Sequence, residues 1–187
     1  MKRLLLSGVP ELFLLGGAFI LGGGKKFFAV FAAAILHECG HMIAAFLLGA
    51  RLRFCRAGIA GISLMYDVSL LSHIREAVIC LVGPAVGLSV AILCRHQNSL
   101  QDFAAANTVL AIFNLLPVSC LDGGGALRAL LSIKFSPDTV WRVCRVLSLV
   151  ITFILWCLSV YILVQINGDI SSAAVSIYLL YRLFSEI

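Results

Sequence analysis

The chain of 187 residues is 61% hydrophobic and only 12% charged, with a mean hydropathy of +1.07, a balance far outside that of soluble domains. It reads as an integral membrane protein whose length suits one helical bundle, residues 1–187, with no room for a separate soluble domain beside it. The formal charge of +5 does not imply nucleic acid, because the basic residues lie scattered between apolar segments, where they set topology.

In chain order, the start MKRLLLSGVPELFLLGGAF resembles a signal peptide, but Pro10 and Glu11 interrupt its apolar core and no A-x-A site follows. It is read as a retained membrane segment. Six apolar segments are marked, at residues 4–24, 27–49, 77–94, 103–118, 143–166 and 170–184, against the ~20 residues that a spanning helix needs. The expected fold is therefore an all-α polytopic membrane protein of about six transmembrane helices, with a short membrane-associated β-hairpin between helices 2 and 3. The hairpin is expected around Gly58 to Tyr66, where Gly58 and Gly61 are spaced among the apolar residues 59, 62, 64 and 65. With a cytoplasmic N-terminus and six crossings, 11 of the 14 Lys and Arg residues fall on the inner side, so both termini are expected in the cytoplasm of a multi-pass cell-membrane protein.

The second segment contains His37, Glu38, Cys39, Gly40 and His41, an H-E-x-x-H. Helix positions four apart share a face, so both imidazoles can reach one metal ion, while Glu38 beside His37 can reach a water on that metal. Cys39 should point away. The motif's chance count in this composition is about 0.002, and an ionisable group at mid-membrane costs roughly 3 kcal/mol. The non-metal reading, a polar cluster or proton path, is the lesser one. The seven cysteines show no C-x-x-C spacing and read as small core residues.

A catalytic zinc site needs a third protein ligand. The stretch NLLPVSCLDGGGALRALL, Asn114 to Leu131, offers Asp122, where Pro117 stops a helix and glycines clear the backbone. Asp122 alone reads equally well as a helix N-cap or loop carboxylate. Glu11, Asp67, His73, Glu76, His96 and Asp102 are rivals without that combination of helix break and glycine clearance.

H-E-x-x-H in one segment with N-x-x-P-x-x-x-x-D-G in a later one resembles the site-2 protease family of intramembrane zinc metalloproteases, over a core of about residues 27–131. The small size resembles the bacterial sporulation branch, which processes a membrane-tethered sigma-factor precursor. The resemblance implies one zinc ion held by His37, His41 and Asp122, Glu38 as catalytic acid and base, and Asn114 orienting substrate or stabilising an oxyanion. It further implies a membrane-tethered regulatory protein as substrate and regulation through a membrane partner. GPAVG, Gly83 to Gly87, stands where many relatives have G-P-x-x-N, so Gly87 lacks one polar contact. The competing class is a metal- or proton-coupled transporter using the same polar residues.

Overall fold

The computed structural model describes the backbone of residues 3–7, 9–58, 61–67 and 71–165, and the side chains of 24–50 and 71–161. The sixth expected segment, residues 170–184, lies outside the described residues.

A strand, β1 (Arg3–Ser7), is followed by the long helix α1 (Val9–Leu47). Pro10 falls in the first turn of α1, where a missing N–H costs nothing. Two strands, β2 (Arg51–Gly58) and β3 (Gly61–Asp67), pair antiparallel, and β1 adds to β3 on the other side, giving the order β1-β3-β2. Then come α2 (His73–Cys94), α3 (Gln101–Asn114), α4 (Asp122–Leu131) and α5 (Pro137–Gln165). Among residues whose side chains are described, all regular structure is helical.

Three helices among the described residues are long and apolar enough to cross a membrane: Gly24–Leu47, His73–Cys94 and Pro137–Tyr161. The side chains before residue 24 and the residues after 165 lie outside the described residues, so this count does not bear on the first and sixth expected crossings. The described helices differ from the marked segments in two places. The first and second segments carry helical backbone without an assigned break over 39 residues, yet this helix is not straight: Arg3 and Arg51 both stand opposite Asp67 in the sheet, which brings the ends of α1 closer than the ~57 Å of a straight helix. The fourth yields only the 14 residues of α3, about 21 Å of helix against a ~30 Å hydrocarbon core. Its end comes at Asn114, just before the Leu-Leu-Pro turn.

The packing is inside-out relative to a soluble bundle. Small residues fill the contacts: Ala44, Ala45, Ala77, Cys80, Ala126 and Ala129 with Ile79 join α1, α2 and α4, while Ala33, Ala34 and Leu110 join α1 to α3. Large side chains such as Phe46 and Leu93, 82% and 75% exposed, face outward. Close backbone approach between small residues is what drives helix association where lipid is as apolar as leucine. It also brings α1, α2 and the start of α4 close enough for short polar side chains to meet.

Candidate metal centre

On α1, His37 and His41 are 2% and 1% exposed, and their rings meet edge to face with centroids 4.7 Å apart. Asp122 opens α4 and is buried. The N-cap position there belongs to Leu121, with no side-chain cap bond, so the carboxylate is not spent on capping. Its Oδ2 lies 3.0 Å from His37 Nε2 and 3.1 Å from His41 Nε2, and the two Nε2 atoms are 3.1 Å apart.

Three donor atoms thus form a nearly equilateral triangle. Tetrahedral zinc with bonds of about 2.0–2.1 Å separates its ligand atoms by about 3.3 Å, close to the edges observed. Protonation tells the same story. His41 Nδ1–H donates to the Ile79 carbonyl at 2.8 Å, which leaves a lone pair on Nε2 of the neutral ring. That lone pair faces a carboxylate oxygen at 3.1 Å. A proton can bridge one edge of such a triangle, whereas a cation satisfies all three, and a ligating histidine ordinarily donates its other N–H to a carbonyl in this way. His37, His41 and Asp122 are the group that can hold a metal ion among the described residues.

The surrounding backbone makes the triangle fit. A Cβ at Gly83 would overlap the His41 imidazole, so glycine lets that ring lie against α2. The Ile79 carbonyl of α2, on the turn before Gly83, receives His41. Gly123 and Gly124 lie against the carbonyls of Leu115, Leu116 and Val118, which lets the chain after α3 fold over the start of α4. Ser148 of α5, fully buried, accepts the Ser119 N–H at 3.1 Å and ties that turn to the last helix.

Glu38 is half-buried beside His37, and Cys39 is exposed. Asn114 ends α3, 4% exposed, with Nδ2 lacking a hydrogen-bond partner among the described residues. The rivals do not join the triangle. Glu76 is buried with its Oε2 3.6 Å from His73 Nδ1, His96 accepts from Arg95 Nε, and Asp102 is exposed. The side chains of Glu11 and Asp67 lie outside the described residues. The sequence reading missed Ile79, Gly83 as a ring seat, and Ser148. A serine inside an apolar helix was the one available signal for the last, and a carbonyl partner carries none.

A profile of Peptidase family M50 matches residues 91–158, a stretch that contains Asn114 and Asp122 and leaves out the H-E-x-x-H. A zinc metalloprotease of Methanocaldococcus jannaschii is 28% identical over 121 residues, covering 58% of this chain and 35% of that protein. The chain therefore spans about a third of the length of that curated relative. The fold is similar to that of the solved site-2 protease from Methanocaldococcus jannaschii, with a TM-score of 0.64 at 21% identity over 95% of this chain and 85% of that one.

Proposed function

We propose, from the site-2 protease family that these matches support, that the chain is an intramembrane zinc metalloendopeptidase. It cuts a peptide bond in or near the transmembrane segment of a membrane-tethered regulatory protein. The observation that carries this reading is the buried triangle of two imidazole nitrogens and one carboxylate oxygen on apolar helices. His37, His41 and Asp122 would hold the zinc, which when bound supplies the Lewis acidity that activates water near neutral pH and polarises the scissile carbonyl.

The remaining work falls to this chain's own groups. Glu38 takes the proton of the attacking water and passes it to the leaving amine. Asn114 Nδ2, without a described partner, donates to the developing oxyanion, worth about 3 kcal/mol by analogy with other such donors. Burial of the ligands keeps bulk water out, and a substrate helix must unwind before its carbonyl is accessible. Substrates therefore carry helix-weakening residues near the cut, and the β2–β3 pair would offer an edge to the extended segment.

The resemblance to the sporulation branch makes a sigma-factor precursor the leading substrate class, with control by a membrane partner. Six crossings with both termini cytoplasmic complete the proposal. This topology has α1 turn back near residues 22–26, and the pairing of both β1 and β2 with β3, which brings the two ends of α1 together, supports that turn. Transport through the same residues is not favoured, since the family and the curated relative are peptidases.

The test is reconstitution in liposomes with a single-span substrate carrying a central Asn-Gly break. Native protein is expected to cut it, and Glu38→Gln to lose at least 1,000-fold in rate while keeping its zinc. Cleavage that survives Glu38→Gln removes the mechanism.

A further inference from the structure

Asn107, in the middle of α3, is 1% exposed. Its Nδ2 donates to the Phe103 carbonyl of its own helix at 2.9 Å, which leaves Oδ1 as an acceptor without a hydrogen-bond partner among the described residues. A buried acceptor of this kind is costly at membrane depth unless something completes it. Asn107 packs on Gly87 of α2: a Cβ there would lie 3.6 Å from Oδ1, in ordinary contact. An amide therefore stands, on the opposite helix, beside the position where Gly87 lacks one.

The neighbourhood is that of the metal centre. His41 rests on Gly83 and Asn107 on Gly87, one turn or about 6 Å apart along α2. Asn114 follows Asn107 by seven residues, so the two amides share a face of α3 about 10.5 Å apart. That spacing matches three residues of an extended strand, about 10 Å. The two amides also offer complementary groups, an acceptor at Oδ1 of Asn107 and a donor at Nδ2 of Asn114. Access does not separate Asn107 from the ligands, since His41 is equally buried and any peptide that reaches it must open the same contacts. A cleft of about 410 Å³ between α2 and α3 begins at the neighbouring Thr108 and Leu88 and runs to Arg95 and Gln101.

We infer that Asn107 is a substrate-contacting residue: its Oδ1 accepts a backbone N–H of the unwound substrate while Asn114 donates to a carbonyl three residues along. This rests on the peptidase reading above. The amide at 107 does from α3 what an amide at 87 would do from α2.

The test measures binding of a fluorescent synthetic single-span peptide with a central Asn-Gly break to the zinc-loaded Glu38→Gln protein in detergent, with cleavage by the Glu38 protein in parallel. Asn107→Ala is expected to weaken binding at least tenfold with zinc content unchanged. Adding Gly87→Asn to Asn107→Ala should restore binding to within threefold. Asn107→Ser, whose hydroxyl stops short of the Oδ1 position in a smaller change, carries the same expectation should Asn107→Ala not fold. Unchanged binding, or a loss that tracks zinc content and is not restored by Gly87→Asn, overturns the contact. Cleavage with binding independent of Asn107 contradicts the contact alone, whereas Asn107-dependent binding with no cleavage contradicts the peptidase reading and leaves the contact standing.

Discussion

His41 is the residue on which the local chemistry turns. Its Nδ1–H is committed to the Ile79 carbonyl, and that single bond fixes the tautomer that turns the Nε2 lone pair toward Asp122. Because Gly83 provides the seat for the ring, Gly83→Ala should push the imidazole out of the triangle and lower zinc affinity at least tenfold, read by competition with a chelator. Affinity unchanged in that variant would mean that His41 does not ligate. The H-E-x-x-H was legible in the sequence because helical spacing alone places positions 37 and 41 on one face. The partner of Nδ1 was not legible, since a backbone carbonyl has no sequence signature and becomes available only through the packing of α1 against α2.

At the level of elements, the turn between α3 and α4 delivers the carboxylate. Pro117 and the glycines after Asp122 announced a break in the sequence, and the structure supplies its reason. Gly124 lies against the Val118 carbonyl and Gly123 against those of Leu115 and Leu116, contacts that a side chain would block. Gly124→Ala is therefore expected to cost several kcal/mol by overpacking, visible as a lower thermal midpoint and lost zinc. Ser148→Ala removes one buried hydrogen bond to Ser119, about 1 kcal/mol. It should weaken zinc binding severalfold, with Ser148→Thr restoring part of it. The pairing of β1 with β3, which brings the two ends of α1 together, was not legible, because strand partners far apart in the chain leave no local signal.

For the whole molecule, composition fixed the class before any motif was considered. A chain with small residues inside and Phe46, Leu47 and Leu93 outside presents to lipid what a soluble protein buries, and hydropathy alone foretold that much. Topology is the part that hydropathy leaves open, because α3 is too short to span and α1 too long for a single crossing. The proposed orientation predicts that a cysteine placed at Lys25, compared with the native protein in intact cells, reacts with a membrane-impermeant maleimide from outside. A cysteine at Lys134 should react only after lysis. Equal labelling of both from one side contradicts the charge-based topology.

The central claim is that His37, His41 and Asp122 hold one zinc ion within the membrane, and X-ray absorption at the zinc edge of the purified protein tests it most directly. The predicted result is about one zinc per chain, bound by nitrogen and oxygen near 2.0–2.1 Å, with the metal lost in His41→Ala combined with Asp122→Ala. A sulfur shell near 2.3 Å, or zinc retained in that double variant, would contradict the assignment and move the site to the cysteines.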